Sequence, residues 1–129
     1  MPYLISIYKY INDIGLASQE ENLFIHLMPN SISSGVLLSN PSEGMKINYE
    51  IKGYYNTEFR VVVRAEAYAA GNLLMQQISS SLTTSERRLE DIVIKQCYPY
   101  SESVSQSTID SSLFEITRDF KIMFCEIAK

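Results

Sequence analysis

The stretch Met45-Lys46-Ile47-Asn48-Tyr49-Glu50-Ile51-Lys52 alternates apolar and polar side chains without a break. A period of two residues is the mark of a β-strand with one buried face. Glu58-Phe59-Arg60-Val61-Val62-Val63-Arg64 follows, with Phe59, Val61 and Val63 on one face and Arg60, Val62 and Arg64 on the other. With Gly53 to Thr57 as the connection, the two runs predict a long antiparallel hairpin. Lys46, Glu50 and Lys52 then share the outer face with Glu58, Arg60 and Arg64, and the alternation alone does not fix the register in which they meet.

The rest of the chain is read against this hairpin. Leu4, Ile7, Tyr8, Ile11 and Ile14 recur at helical spacing, and Gly15 stands where a left-handed cap ends a helix. Asn22 to Leu27 and Val36 to Leu38 are short apolar runs bounded by Pro29 and by Asn40-Pro41, hence strands. A helix is expected from Glu66 to Leu82, with a stripe of Tyr68, Gly71, Leu74, Met75, Ile78 and Leu82. Ala67, Ala70 and Gly71 allow it to approach the strands closely, and Glu66 in its first turn suits the helix dipole. The polar run Ser79 to Arg88 is expected to end the helix and cross the surface.

Asp91 to Tyr98 reads as a strand, and the Ser-rich Pro99 to Asp110 as a loop or mobile arm. Ser112 to Ile127 reads as a closing strand, with Phe120, Ile122 and Phe124 on one face and Met123 and Cys125 on the other. Leu113 to Ile116 is a candidate separate partner for it. The order predicts one α+β domain over residues 1–129: a mainly antiparallel sheet with a long hairpin, packed by an N-terminal helix and a helix following the hairpin.

Chemistry is sparse. His26 is the only histidine, inside an apolar run, and is read as structural. No GxSxG elbow, phosphate loop or dinucleotide fingerprint occurs, and no cysteine, histidine and carboxylate cluster has metal-ligand spacing. The adjacent pairs Glu20-Glu21 and Glu90-Asp91 are read as solvated. No catalytic residue, cofactor or metal is expected. Cys97 and Cys125 are expected as two buried thiols, with a disulfide as the alternative. The apolar N-terminus is interrupted by Lys9, Asn12 and Asp13, and reads as neither a signal peptide nor a membrane span. With 11 basic and 15 acidic side chains the net charge is −4, which argues against binding through phosphate neutralisation. Nine tyrosines and no tryptophan suit a thin domain with much interface. The candidate interface residues are Tyr54 and Tyr55 at the hairpin tip, and Arg60 and Arg64 on its outer face, where cross-strand ion pairing is the plainer role for the arginines.

Gly35-Val36-Leu37-Leu38 with Pro41 and Gly44, then Ile47, Glu50 to Tyr55, Phe59 to Arg64, Tyr68 and Gly71, resemble the tail terminator (minor capsid, tail completion) proteins of long-tailed bacteriophages. The order of elements matches along most of the chain, and the sequence-level similarity lies in residues 35–82. The resemblance implies a homo-oligomeric ring, typically of six subunits, that caps the tail tube protein and offers a docking face to the head-closure or neck protein. DNA passes through its lumen without specific binding, and no membrane is involved. It places the protein in the virion at the head–tail junction, assembled in the host cytoplasm, with the Ser101 to Asp110 arm as a contact loop ordered on assembly. Competing readings are a head-closure, neck or tail-tube protein, a regulatory adaptor binding through the hairpin, and, more remotely, a small α+β ligand-binding domain or enzyme.

Overall fold

A computed structural model of the chain describes residues 3–18, 21–29, 31–40, 46–47, 53–89, 92–101, 104–107 and 113–126. Helix α1 (Tyr3–Asp13) is followed by strands β1 (Leu23–Ile25), β2 (Gly35–Ser39), β3 (Lys46–Ile47) and β4 (Tyr54–Ala65). Helix α2 (Tyr68–Leu82) comes next, then β5 (Arg87–Arg88), β6 (Ile92–Pro99), β7 (Val104–Ser107) and β8 (Phe114–Glu126). Among the described residues the eight strands form one sheet of order β1-β2-β4-β8-β6-β5, with β3 beside β4 and β7 beside β8. Every pairing is antiparallel except β1 with β2. The α+β class expected from the sequence is the one observed.

The two longest strands, β4 and β8, pair over their whole common length, from Tyr54 opposite Cys125 to Ala65 opposite Phe114. Alternation assigns Phe59, Val61, Val63, Ile116, Phe120, Ile122 and Phe124 to one face. All are buried, in one cluster with Leu4, Ile7 and Ile11 of α1 and Met75, Ile78 and Leu82 of α2. Both helices therefore pack on the same face. Gly15 ends α1 with φ of +81°, as a left-handed cap requires.

Gly71 is the close-approach point of α2. A Cβ there would lie 2.8 Å from Ile116 Cδ1 and 3.0 Å from Ala65 Cβ. Ala67 and Ala70 are exposed and take no part in this approach. Gly71→Val is expected to cost about 2–3 kcal/mol by overpacking, read as a lower denaturation midpoint with an unchanged slope. A neutral result would show that α2 shifts freely on the sheet.

Several expectations are corrected. The hairpin direction holds, since Lys46 and Ile47 pair antiparallel with Asn56 and Tyr55, but residues 48–52 lie outside the described residues. The strand begins at Tyr54, so Tyr54 to Thr57 are not a connection. From Arg60 to Arg64 the neighbours of β4 are β2 and β8, and carboxylates of β8 meet the arginines. Helix α2 starts at Tyr68 with Ala67 as its cap, leaving Glu66 outside the first turn. Its end is not simply a surface crossing either. Ser79 is buried and its hydroxyl donates to Met75 O, and Arg87–Arg88 form β5 on β6. Part of the supposed 99–110 arm is strand β7, paired with β8 from Thr117 to Phe114. Leu113 to Ile116 is no separate partner, because β8 is continuous from Phe114 to Glu126. Strand β8 pairs with β4 along one side, and along the other with β7 from Phe114 to Thr117 and with β6 from Phe120 to Glu126.

The cysteines fall on opposite faces. A register shift between Ile94 and Gln96 inserts an extra residue into β6, turning Cys97 inward with Ile92 and Ile94. Cys125 is only half-buried, against the expectation, and both thiols are free. Burial raises the Cys97 thiol from 9.0 to about 12, the positive charge of Arg87 acting the other way. Burial likewise raises the Tyr3 phenol from 10.0 to about 12, opposed by a hydrogen bond with Thr57. The unfolded chain loses these protons first as pH rises, so their contribution to stability is full below about pH 9 and is lost between pH 9 and about 12. Denaturation midpoints are expected to fall over that window, and to fall less steeply in Cys97→Ala. A flat profile in the unmodified protein would contradict this.

Candidate assembly surface

Among the described residues no helix covers the second face of the sheet, and alternation presents a ladder of charges there. On β4 it carries Glu58, Arg60, Val62 and Arg64; on β8 these lie opposite Lys121, Asp119, Thr117 and Glu115. Three cations thus face three anions in register, so the central face is charge-balanced. Arg60 Nε donates to Asp119 Oδ1 at 2.8 Å and Nη2 to Oδ2 at 3.3 Å. Arg64 Nε and Nη2 donate to Glu115 Oε2 at 3.1 and 3.0 Å.

At the third rung a residue outside both strands intervenes. Tyr100 OH donates to Glu58 Oε2 at 2.8 Å, and Lys121 Nζ lies 5.2 Å from the centre of its ring. That hydrogen bond is the main reason the Tyr100 phenol is pushed up to about 12. Tyr100 remains 41% exposed. Its position beside Pro99 at the end of an apolar strand carried no signal that singled it out in the sequence.

The four candidate interface residues divide into two kinds. Tyr55 turns toward the helices and stacks on Phe124, with ring centroids 5.3 Å apart, and a hydrogen bond with Glu126 raises its phenol. Arg64 is tied down further by Nη1, which donates to Pro29 O at 2.8 Å and Ile32 O at 3.0 Å. Tyr54 lies half-buried on the charged face, two rungs before Glu58, and Arg60 stays exposed although paired. The structure therefore brings Tyr54 and Arg60 together with Tyr100 on one surface, and gives Tyr55 and Arg64 partners within the fold.

The sheet ends are short: three residues in β1 and two in β5. Beyond β1, Leu27 N–H donates to Ile25 O at 2.9 Å across His26, whose φ is +69°. This is the rare, strained form of a three-residue turn. His26 is exposed there and Leu27 is 76% exposed. At the other end Arg87 Nη1 donates to Ser81 O at 2.5 Å and its guanidinium lies 4.7 Å from the Tyr10 ring centre. Arg118, on the helix side of β8, donates from Nη1 to Ser79 Oγ at 3.1 Å and from Nε to Ser101 O at 2.9 Å.

Among the described residues no group of three or more histidine, cysteine or carboxylate side chains is placed to hold a metal ion. None of their helices is long and apolar enough to cross a membrane.

No individually curated protein matches the chain in sequence. A solved structure, described as the virion of a native gene transfer agent particle, contains a chain with the same fold: TM-score 0.63 at 13% identity, covering 95% of this chain and 93% of that one. The model of a family described as bacteriophage tail terminator protein matches residues 10–124. That match covers most of the sequence: the chain belongs to the bacteriophage tail terminator family and is a structural protein of the virion tail.

Proposed function

We propose that the whole 129-residue chain acts as one unit and assembles head-to-tail into a closed ring, of six subunits, that caps the tail tube. One face of the ring stops addition of tube protein, and the other receives the head-closure or neck protein. The observation that carries this reading is the open sheet with two dissimilar ends, β1 and β5. Dissimilar ends favour a heterologous contact, which repeats from copy to copy and closes when the rotation closes. The balanced ladder of Glu58, Arg60, Arg64, Glu115, Asp119 and Lys121 supports a surface past which DNA moves, since it offers phosphate no net attraction. Tyr54 and Arg60 are the residues of that face assigned to subunit or partner contact.

Mass photometry and negative-stain microscopy of the purified protein, alone and mixed with its tube protein, test the proposal. The expected result is a ring of one size and tubes capped at one end. Monomer under all conditions would sink it. Long tubes formed by this chain alone would make it a tube subunit instead.

A further inference from the structure

The sheet's two ends differ in charge as well as in length. Between α1 and β5 runs an open groove of about 720 Å³, walled by Lys9, Tyr10, Asp13, Arg87 and Arg88. Among the described residues that wall it there are three cations and one carboxylate, in a chain whose net charge is −4. Arg88 is exposed, and the described partners of Arg87, a carbonyl and an aromatic ring, are both neutral. At the other end of the strand order Glu21, two residues before β1, is exposed. The same end carries Leu27, 76% exposed beside an outermost strand and set there by the strained turn at His26.

We infer that the Arg87–Arg88 groove of one copy receives the Glu21 lead-in to β1 of the next copy. This inference rests on the ring reading above and names its subunit contact. Two copies of charge −4 repel at a distance, so their contact must join unlike patches. A two-fold contact at either end would bring Arg88 toward Arg88 or Glu21 toward Glu21. A head-to-tail contact sets each against the other, and repeats.

The test is a charge exchange in the full chain: Arg88→Glu, Glu21→Arg, and both together, with assembly followed by mass photometry and, where required, with tube protein present. Both positions are exposed, and circular dichroism checks that each variant is folded. Each single change is expected to raise the concentration at half-assembly by about tenfold or more, from like charges placed in contact. The combined variant is expected to return to within about threefold of the unmodified protein, because the pair is restored with its signs exchanged. Single variants that assemble normally, or a combined variant no better than the worse single one, would overturn this contact and leave the ring standing. An unmodified chain that never assembles, alone or with tube protein, would overturn the ring and this contact together.

Discussion

Phe124→Ala is expected to lower the stability of the chain by about 3–5 kcal/mol, the usual cost of truncating a buried phenylalanine. Phe124 has no exposed surface. On β8 it lies opposite Tyr55 of β4 and Ile94 of β6. Its ring stacks on Tyr55 and, at 5.1 Å with an interplanar angle of 24°, on Tyr3 of α1. One side chain thus joins three strands and a helix. Tyr3 is positioned in turn by its hydroxyl, which donates to Asn40 Oδ1 at 2.7 Å. Removing the Phe124 ring leaves a cavity and takes a stacking partner from both tyrosines, each such pair contributing about 0.5–1.5 kcal/mol.

The net stability of a domain this size is about 5–15 kcal/mol, so the variant is expected to be at the edge of folding. Phe124→Leu keeps most of the volume and is expected to lose about half as much. Denaturant titration followed by far-ultraviolet circular dichroism reads both. A loss below about 1 kcal/mol in the alanine variant would show that α1 and the two tyrosines close over the gap. Both sheet ends depend on the central strands for their spacing. Assembly is therefore expected to fail in Phe124→Ala at temperatures where the unmodified protein still assembles.

Much of this arrangement was legible in the alternation itself. Ile122 and Phe124 announced the buried face of β8, and Phe59, Val61 and Val63 that of β4, because a strand with helices on one side must alternate. The stripe from Leu4 to Ile11 announced α1 for the same reason at a different period. What could not be read depends on contacts distant in the chain. Ser79 looks like part of a polar helix end, yet Met75 O and Arg118 satisfy its hydroxyl inside the fold. Arg87 and Arg88 look like a solvated pair, and become a strand only because β6 lies beside them. The bulge between Ile94 and Gln96 breaks the period of two just where it would have turned Cys97 outward. The candidate surface was half legible. Two outward arginines follow from the pattern in 58–64, but nothing local says that Arg60 remains open and Arg64 does not.

That difference between the arginines yields the second large effect. Arg64→Ala is expected to cost about 2–4 kcal/mol, and Arg60→Ala less than about 1 kcal/mol. The Arg64 side chain is 11% exposed and its Glu115 partner 23%, against 54% for Arg60 and 25% for Asp119. Arg64 donates to Glu115 through two nitrogens and through a third to the carbonyls of Pro29 and Ile32. Those carbonyls belong to the connection between β1 and β2, so one guanidinium holds that connection against the central strands. Its removal leaves a half-buried carboxylate and the Ile32 carbonyl without this donor, while Pro29 O keeps the N–H of Ile32 at 3.1 Å. Lysine keeps the charge but lacks the planar fork, and Arg64→Lys is expected to recover less than half of the loss. Pairing Arg64→Ala with Glu115→Ala is expected to be less damaging than the sum of the single changes, because the second removes the stranded charge. The β1 end relies on this tie. Arg64→Ala is therefore expected to weaken ring assembly even at a temperature where its monomer remains folded, whereas Arg60→Ala affects assembly only through its own surface. Equal stability losses at the two arginines, measured by denaturant titration, would refute the distinction between an internal tie and an exposed ion pair.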